Sequence, residues 1–197
     1  TIFQTFQRTI LDFNGTVMKT FMKPITKLYL KTFLYTGIPF GLIMLGFDLV
    51  DGDGFRFWKF IYMTIFFGAT MSLILVSFHK YRLNKNGVQE ITNDNVGVNQ
   101  TRNLKSNYNK RELIEKIKGD PVMGKMKMTE IENGILLKTG ITLQSWGEEI
   151  KIILKSNQEN NFEYIVSSSP KLKTTLVDYG KNLENINRIE NVIKNIA

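Results

Sequence analysis

The sequence predicts a membrane α-helical hairpin followed by an α+β domain, a β-α-β-β-β-β-α antiparallel sheet with helices on one face. Three observations predict it. Two uncharged runs, Thr32–Phe47 and Phe60–Phe78, fall in the first 80 of 197 residues. Polar, glycine-punctuated text follows, and every asparagine except Asn14 lies after residue 83. Beyond it, apolar residues alternate with polar ones between turn signals and end in a stripe of helical period.

The hairpin is assigned to residues 27–80. A hydrocarbon core about 30 Å thick needs roughly 20 apolar helical residues. The second run has 19 and suffices. The first has 16 and suffices once Leu28–Leu30 are counted, with Lys31 reaching back to the headgroups. Pro39, between Gly37 and Gly41, is expected to kink this helix, which a membrane helix tolerates. A pair of buried core helices is the competing reading. The aromatic residues crowding the run ends, Tyr29, Phe55, Phe57, Trp58 and Tyr81, favour the bilayer.

Charge sets the expected orientation. Residues 1–31 sum to +4, whereas Asp48–Lys59 between the runs sums to −1. His79-Lys80-Tyr81-Arg82 and Lys85 form a second basic collar. The positive-inside rule places both termini on the cytoplasmic or matrix side of a bacterial inner (plasma) membrane or an organellar inner membrane. Lys23, Lys27, Lys31, Lys80 and Arg82, with Arg8 and Lys19, are the expected membrane-surface residues. The acidic turn carries Asp51-Gly52-Asp53-Gly54 without the later ligands of a calcium loop, and reads as a plain turn. Residues 1–26 form a third element. Phe3, Phe6, Ile10, Phe13, Val17 and Phe21 share one helical face, as in an amphipathic helix lying in the headgroup plane.

Residues 81–95 read as a linker and 96–197 as the α+β domain. Val96–Lys105 is a weak strand. Asn109-Lys110-Arg111-Glu112 has the pattern of a capping box, and Gly119 with Pro121 ends that helix. Met126 and Met128 lead to Asn133-Gly134, a hairpin signal, and Ile135–Leu143 returns with a bulge or bend expected at Gly140. Ser145-Trp146-Gly147 turns the chain into Glu148–Leu154. A polar loop, Ser156–Asn161, leads to Phe162–Val166. The final helix spans about Asn182–Ile196, with Leu183, Ile186, Ile189, Ile193 and Ile196 on its inner face.

The chemistry-bearing residues exclude more than they assign. Without cysteine there are no disulfides, thiolate metal sites or thiol nucleophiles, and one histidine removes imidazole clusters. Glu148 and Glu149 are strand neighbours and point to opposite faces, so they are no acid–base pair. No metal set and no cofactor fingerprint is present. Lys171, Lys173, Thr174, Thr175, Gly180 and Lys181 form a weak candidate anion site before the last helix. The competing and favoured reading makes Asp178 and Asn182 caps of that helix, with Tyr179 and Leu176 packed on the sheet. Trp146 reads as a hairpin or core residue. Glu112, Glu115 and Lys116 read as solvated surface, and His79 as an interfacial residue.

Ser145-Trp146-Gly147-Glu148, with the string Thr174-Thr175-Leu176-Val177-Asp178-Tyr179-Gly180-Lys181-Asn182 and the later Asn185, Arg188 and Ile189, resembles an uncharacterised bacterial type of small, membrane-anchored α+β domain. The likeness covers about the last 90 residues. It implies a fold unit and no activity.

The net charge of +8 does not indicate nucleic acid, because the basic residues are not interleaved with aromatic ones and +4 lies at the N-terminal arm. Anionic lipid or an acidic partner accounts for it more simply. The expected role is therefore a non-enzymatic, membrane-anchored accessory or assembly subunit, multi-pass, whose domain docks on a membrane protein complex at the inner surface. The alternative is a tethered domain that binds or senses a lipid or another apolar ligand. An enzyme acting through Asp178 and Lys181 is the third reading, and the least favoured.

Overall fold

A computed structural model describes residues 22–142, 145–158 and 161–194. The segment assigned to the amphipathic helix, with Arg8 and Lys19, lies almost wholly outside these residues, as does Ile196. Two compact units are present, Thr1–Ser77 and Phe78–Ala197.

In the first unit, α1 (Pro24–Val50) and α2 (Phe57–Lys85) pack antiparallel, α2 continuing past the unit's end. Both are long and apolar enough to cross a membrane. Pro24 opens α1, where its missing N–H costs nothing, and the helix runs on through Pro39. Small residues form the contact. A Cβ on Gly37 would lie 2.5 Å from the Thr64 carbonyl oxygen, and one on Gly68 would lie 2.8 Å from that of Phe33. Gly37 and Gly41 thus form a G-x-x-x-G seam that lets two backbones approach. Phe40 stacks on Phe67 at 4.0 Å, Tyr29 Oη meets Ser77 Oγ at 2.9 Å, and Lys59 pairs with Asp48 at the closed end. Many large side chains point the other way. Leu34, Ile38, Leu42, Ile43 and Phe47 on α1, with Ile65, Phe66, Leu73 and Ile74 on α2, are exposed.

The second unit begins with the last turns of α2, so the helix is built into the domain through Leu83, which is buried, and ends at Lys85 within the segment assigned to a linker. A short helix α3 (Asn93–Val96) occupies more of that segment. Then follow β1 (Gln100–Ser106), α4 (Lys110–Gly119), β2 (Lys127–Ile131), β3 (Gly134–Lys138), β4 (Glu148–Gln158), β5 (Asn161–Pro170) and α5 (Lys181–Lys194). The sheet order is β1-β5-β4-β3-β2, antiparallel throughout. Residues of one strand parity, among them Leu104, Ile135, Leu137, Ile150, Ile152, Phe162, Tyr164 and Val166, face Leu113, Ile117, Ile186 and Ile189 of the helices in one core.

Local signals explain most boundaries. Asn109 Oδ1 accepts from the Arg111 and Glu112 amides, and Glu112 Oε2 accepts from the Asn109 amide, a complete capping box. Asn109→Ala is expected to lower the domain's unfolding free energy by about 1 kcal/mol, read from urea titration of the full chain in detergent. β1 starts later than Val96 because Thr92 and Asn95 cap a helical turn there, the Thr92 amide donating to Asn95 Oδ1. β3 stops at Lys138, earlier than Leu143, so Gly140 lies beyond the strand, and an isolated Thr142–Ser145 bridge follows. β4 and β5 run much longer than expected. Their polar ends Ser156–Gln158 and Asn161 pair across the ladder, past a bulge between Leu154 and Ser156.

Candidate functional site

The loop before α5 was the weak candidate anion site, and the donors of Lys171, Thr175, Gly180 and Lys181 are turned to the chain's own acceptors. Asp178 is buried; its Oδ1 accepts from the Gly180 amide at 3.1 Å. Its Oδ2 accepts from the Asn182 amide and from Asn182 Nδ2. Lys171 Nζ donates to the Thr139 carbonyl, Thr175 Oγ1 to that of Leu172, and Lys181 Nζ to Glu184 Oε2. Lys173 and Thr174 are exposed. The geometry is that of a helix start held by Asp178. Val177 supplies a buried apolar side chain here; Leu176 is half-buried, and Tyr179 meets Phe78 edge-on at 5.1 Å. Tyr179 and Gly180 both have φ in the left-handed region, at 54° and 70°. Gly180 takes that conformation freely; Tyr179 takes it at a cost.

A buried polar chain extends from this loop. Ser168 Oγ donates to Asn182 Oδ1 and accepts from Asn185 Nδ2. His79 is fully buried, with Nε2 3.2 Å from the Val96 carbonyl and Nδ1 3.7 Å from Asp178 Oδ1. Asn86 Nδ2 donates to the Gly180 carbonyl. These bonds fasten the end of α2 to α5 and the sheet. His79 thus lies inside the domain. Of the expected membrane-surface residues, Lys23, Lys31 and Lys80 are exposed and Lys27 is half-buried, while Arg82 is drawn toward Glu184 at 3.8 Å.

An opening lies elsewhere, on the outer side of the helices. An open groove of 1330 Å³ runs between α4 and α5, lined mainly by charged and polar side chains such as Arg111, Glu115, Lys116, Glu184, Arg188 and Asn191. Lys116 Nζ stands 4.9 Å over the Tyr108 ring, whose backbone is fixed by Tyr164 Oη donating to its carbonyl at 3.0 Å. Burial, with the Glu112 charge, pushes the Tyr164 hydroxyl up to about 12. Asp120 holds the floor. Its Oδ1 accepts from the Val122 and Met123 amides, and Arg188 lies 3.4 Å away. Burial raises Asp120, but the Met123 and Val122 amides and Arg188 outweigh it, so its carboxyl titrates below the usual range.

That sign makes a prediction. A depressed native pKa gives stability that is present above the unfolded value and lost as pH falls through the native one. Asp120→Asn is therefore expected to flatten the acid limb of the domain's stability curve below about pH 4, measured by thermal melts across pH.

Glu112, Glu115 and Lys116 are exposed, as expected of solvated surface, but the sequence reading did not foresee that they line a groove. The signal was present on α5, where Glu184, Asn187, Arg188 and Asn191 form a polar stripe at helical spacing beside the apolar one. Nothing in one helix's pattern says that another helix's polar stripe faces it. No family model, curated protein or solved structure matches the chain.

Proposed function

We propose that the protein is a non-enzymatic accessory or assembly subunit, anchored by the α1–α2 hairpin in a bacterial inner (plasma) or organellar inner membrane. Both termini lie on the cytoplasmic or matrix side, and the α4–α5 groove docks on a partner membrane protein complex. The groove is the observation that carries this reading. It alternates Arg111, Lys116 and Arg188 with Glu112, Glu115 and Glu184, a pattern suited to mixed-charge protein surface. The outward large side chains of the hairpin support the anchor, since water would leave that apolar surface uncovered. Asp178, Asn182, Ser168 and Asn185 bond one another in a chain, which fits a structural role for Asp178 rather than a chemical one.

Purification from native membranes in mild detergent, followed by quantitative mass spectrometry, tests the proposal. One partner set at constant stoichiometry is expected, and Arg111→Glu with Lys116→Glu is expected to release it while the hairpin stays in the membrane. Elution alone from every mild extraction contradicts the docking role.

A further inference from the structure

The second unit has an exposed apolar cluster that neither the groove nor the core uses. Ile141, Trp146 and Leu172 are 71%, 66% and 45% exposed. They come from the turn between β3 and β4 and from the loop after β5, and the structure ties these together. The Lys171 amide donates to the Gly147 carbonyl at 2.9 Å, and Lys171 Nζ donates to that of Thr139. Buried Glu148 accepts from the Thr139 and Ser145 hydroxyls, fixing the base of the turn. Two lysines adjoin the cluster, one holding the turn and the other, Lys173, exposed.

The location gives the cluster meaning. The register pairs Lys138↔Glu149, Glu148↔Pro170 and Gln100↔Ser168 all lie at one end of the sheet. That same end receives α2: Ser168 bonds Asn182, Asn182 bonds Asp178, and His79 contacts Val96 just before β1. Phe78, the last residue of the uncharged run, touches Tyr179 in the same loop, and exposed Tyr81 stacks on Phe78. A tryptophan, two aliphatic side chains and a lysine at the sheet end that also receives a helix's exit aromatics have the composition of a bilayer interface.

We propose that Ile141, Trp146 and Leu172 form a lipid-contacting tip, which sits in the headgroup region of the membrane crossed by α2, with Lys173 on anionic headgroups. The inference rests on the reading that α1 and α2 cross a membrane. The chain has two tryptophans, Trp58 and Trp146, so each is isolated by changing the other to phenylalanine. The full-length protein is placed in nanodiscs of phosphatidylcholine and phosphatidylglycerol, with brominated acyl chains as quencher and acrylamide as aqueous quencher.

Trp146 in the Trp58→Phe protein is expected to lose emission to brominated lipid and to resist acrylamide. Lys173→Glu is expected to weaken the lipid quenching in anionic discs. Trp146 open to acrylamide and blind to bromine overturns the proposal, as does Trp146 shielded from both, which marks a protein cover such as a second copy. Trp58 in the Trp146→Phe protein separates the two failures. Bromine quenching of Trp58 alone keeps the anchor and removes the tip; quenching of neither removes both.

Discussion

Gly37→Leu is expected to split the α1–α2 hairpin. The new Cβ would meet the Thr64 carbonyl oxygen at 2.5 Å and the Gly68 Cα at 3.0 Å, both backbone atoms that cannot rotate aside. The helices must move apart, and the contacts along the seam, Phe40 on Phe67 and Tyr29 with Ser77, go with it. Overpacking a tight contact costs roughly 1–3 kcal/mol, and a clash with backbone belongs at the upper end. Gly46 supplies the control, because a Cβ there meets nothing within 4 Å. Gly46→Leu should leave the thermal melt in detergent unchanged, whereas Gly37→Leu should lower it and shift mobility on mild denaturing gels. Equal behaviour of the two variants contradicts the seam.

Asp178→Ala carries the second large effect. The substitution strands the Gly180 and Asn182 amides and Asn182 Nδ2 in a buried site and leaves His79 facing no carboxylate. Each orphaned buried donor costs about 1–3 kcal/mol, so a loss of roughly 3 kcal/mol is expected. Asp178→Asn keeps one acceptor oxygen and should lose less. Asp94, exposed on α3, is the control, and its alanine variant should fall within about 0.5 kcal/mol of the parent. Urea titration of the full chain gives these values. Hydrogen exchange should further show faster opening at Leu83–Asn86 in the Asp178→Ala protein, because the loop that holds the end of α2 has lost its cap.

The order of elements was legible in this sequence because local rules set it. Asn109 and Glu112 announce a helix start, Asn133-Gly134 a hairpin, and the stripe Leu183, Ile186, Ile189, Ile193 a helix on a sheet. Failures came where tertiary pairing overrides local preference. Ser156–Gln158 have turn-forming side chains, yet neighbouring ladder bonds extend β4 through them. His79 looked interfacial from its place after an apolar run. Its burial depends on Val96 and Asp178, the latter 99 positions away, which no local pattern encodes. Lys171 was legible as a charge but not as a donor already engaged, since its acceptor, the Thr139 carbonyl, comes from the distant turn after β3; the Lys181–Glu184 pair is local to α5. The groove was illegible for the same reason: it exists only where α4 and α5 meet.

Side-specific labelling tests the anchor most directly, and the natural absence of cysteine makes it clean. Asp51→Cys places one thiol in the turn between α1 and α2, and Glu132→Cys places one in the β2–β3 turn of the domain. In intact cells or sealed organelles stripped of their outer membrane, a membrane-impermeant maleimide should label position 51 and spare position 132. Position 132 should react only after lysis. Labelling of both positions before lysis, or of neither, would show that α1 and α2 do not place the turn and the domain on opposite sides of a membrane.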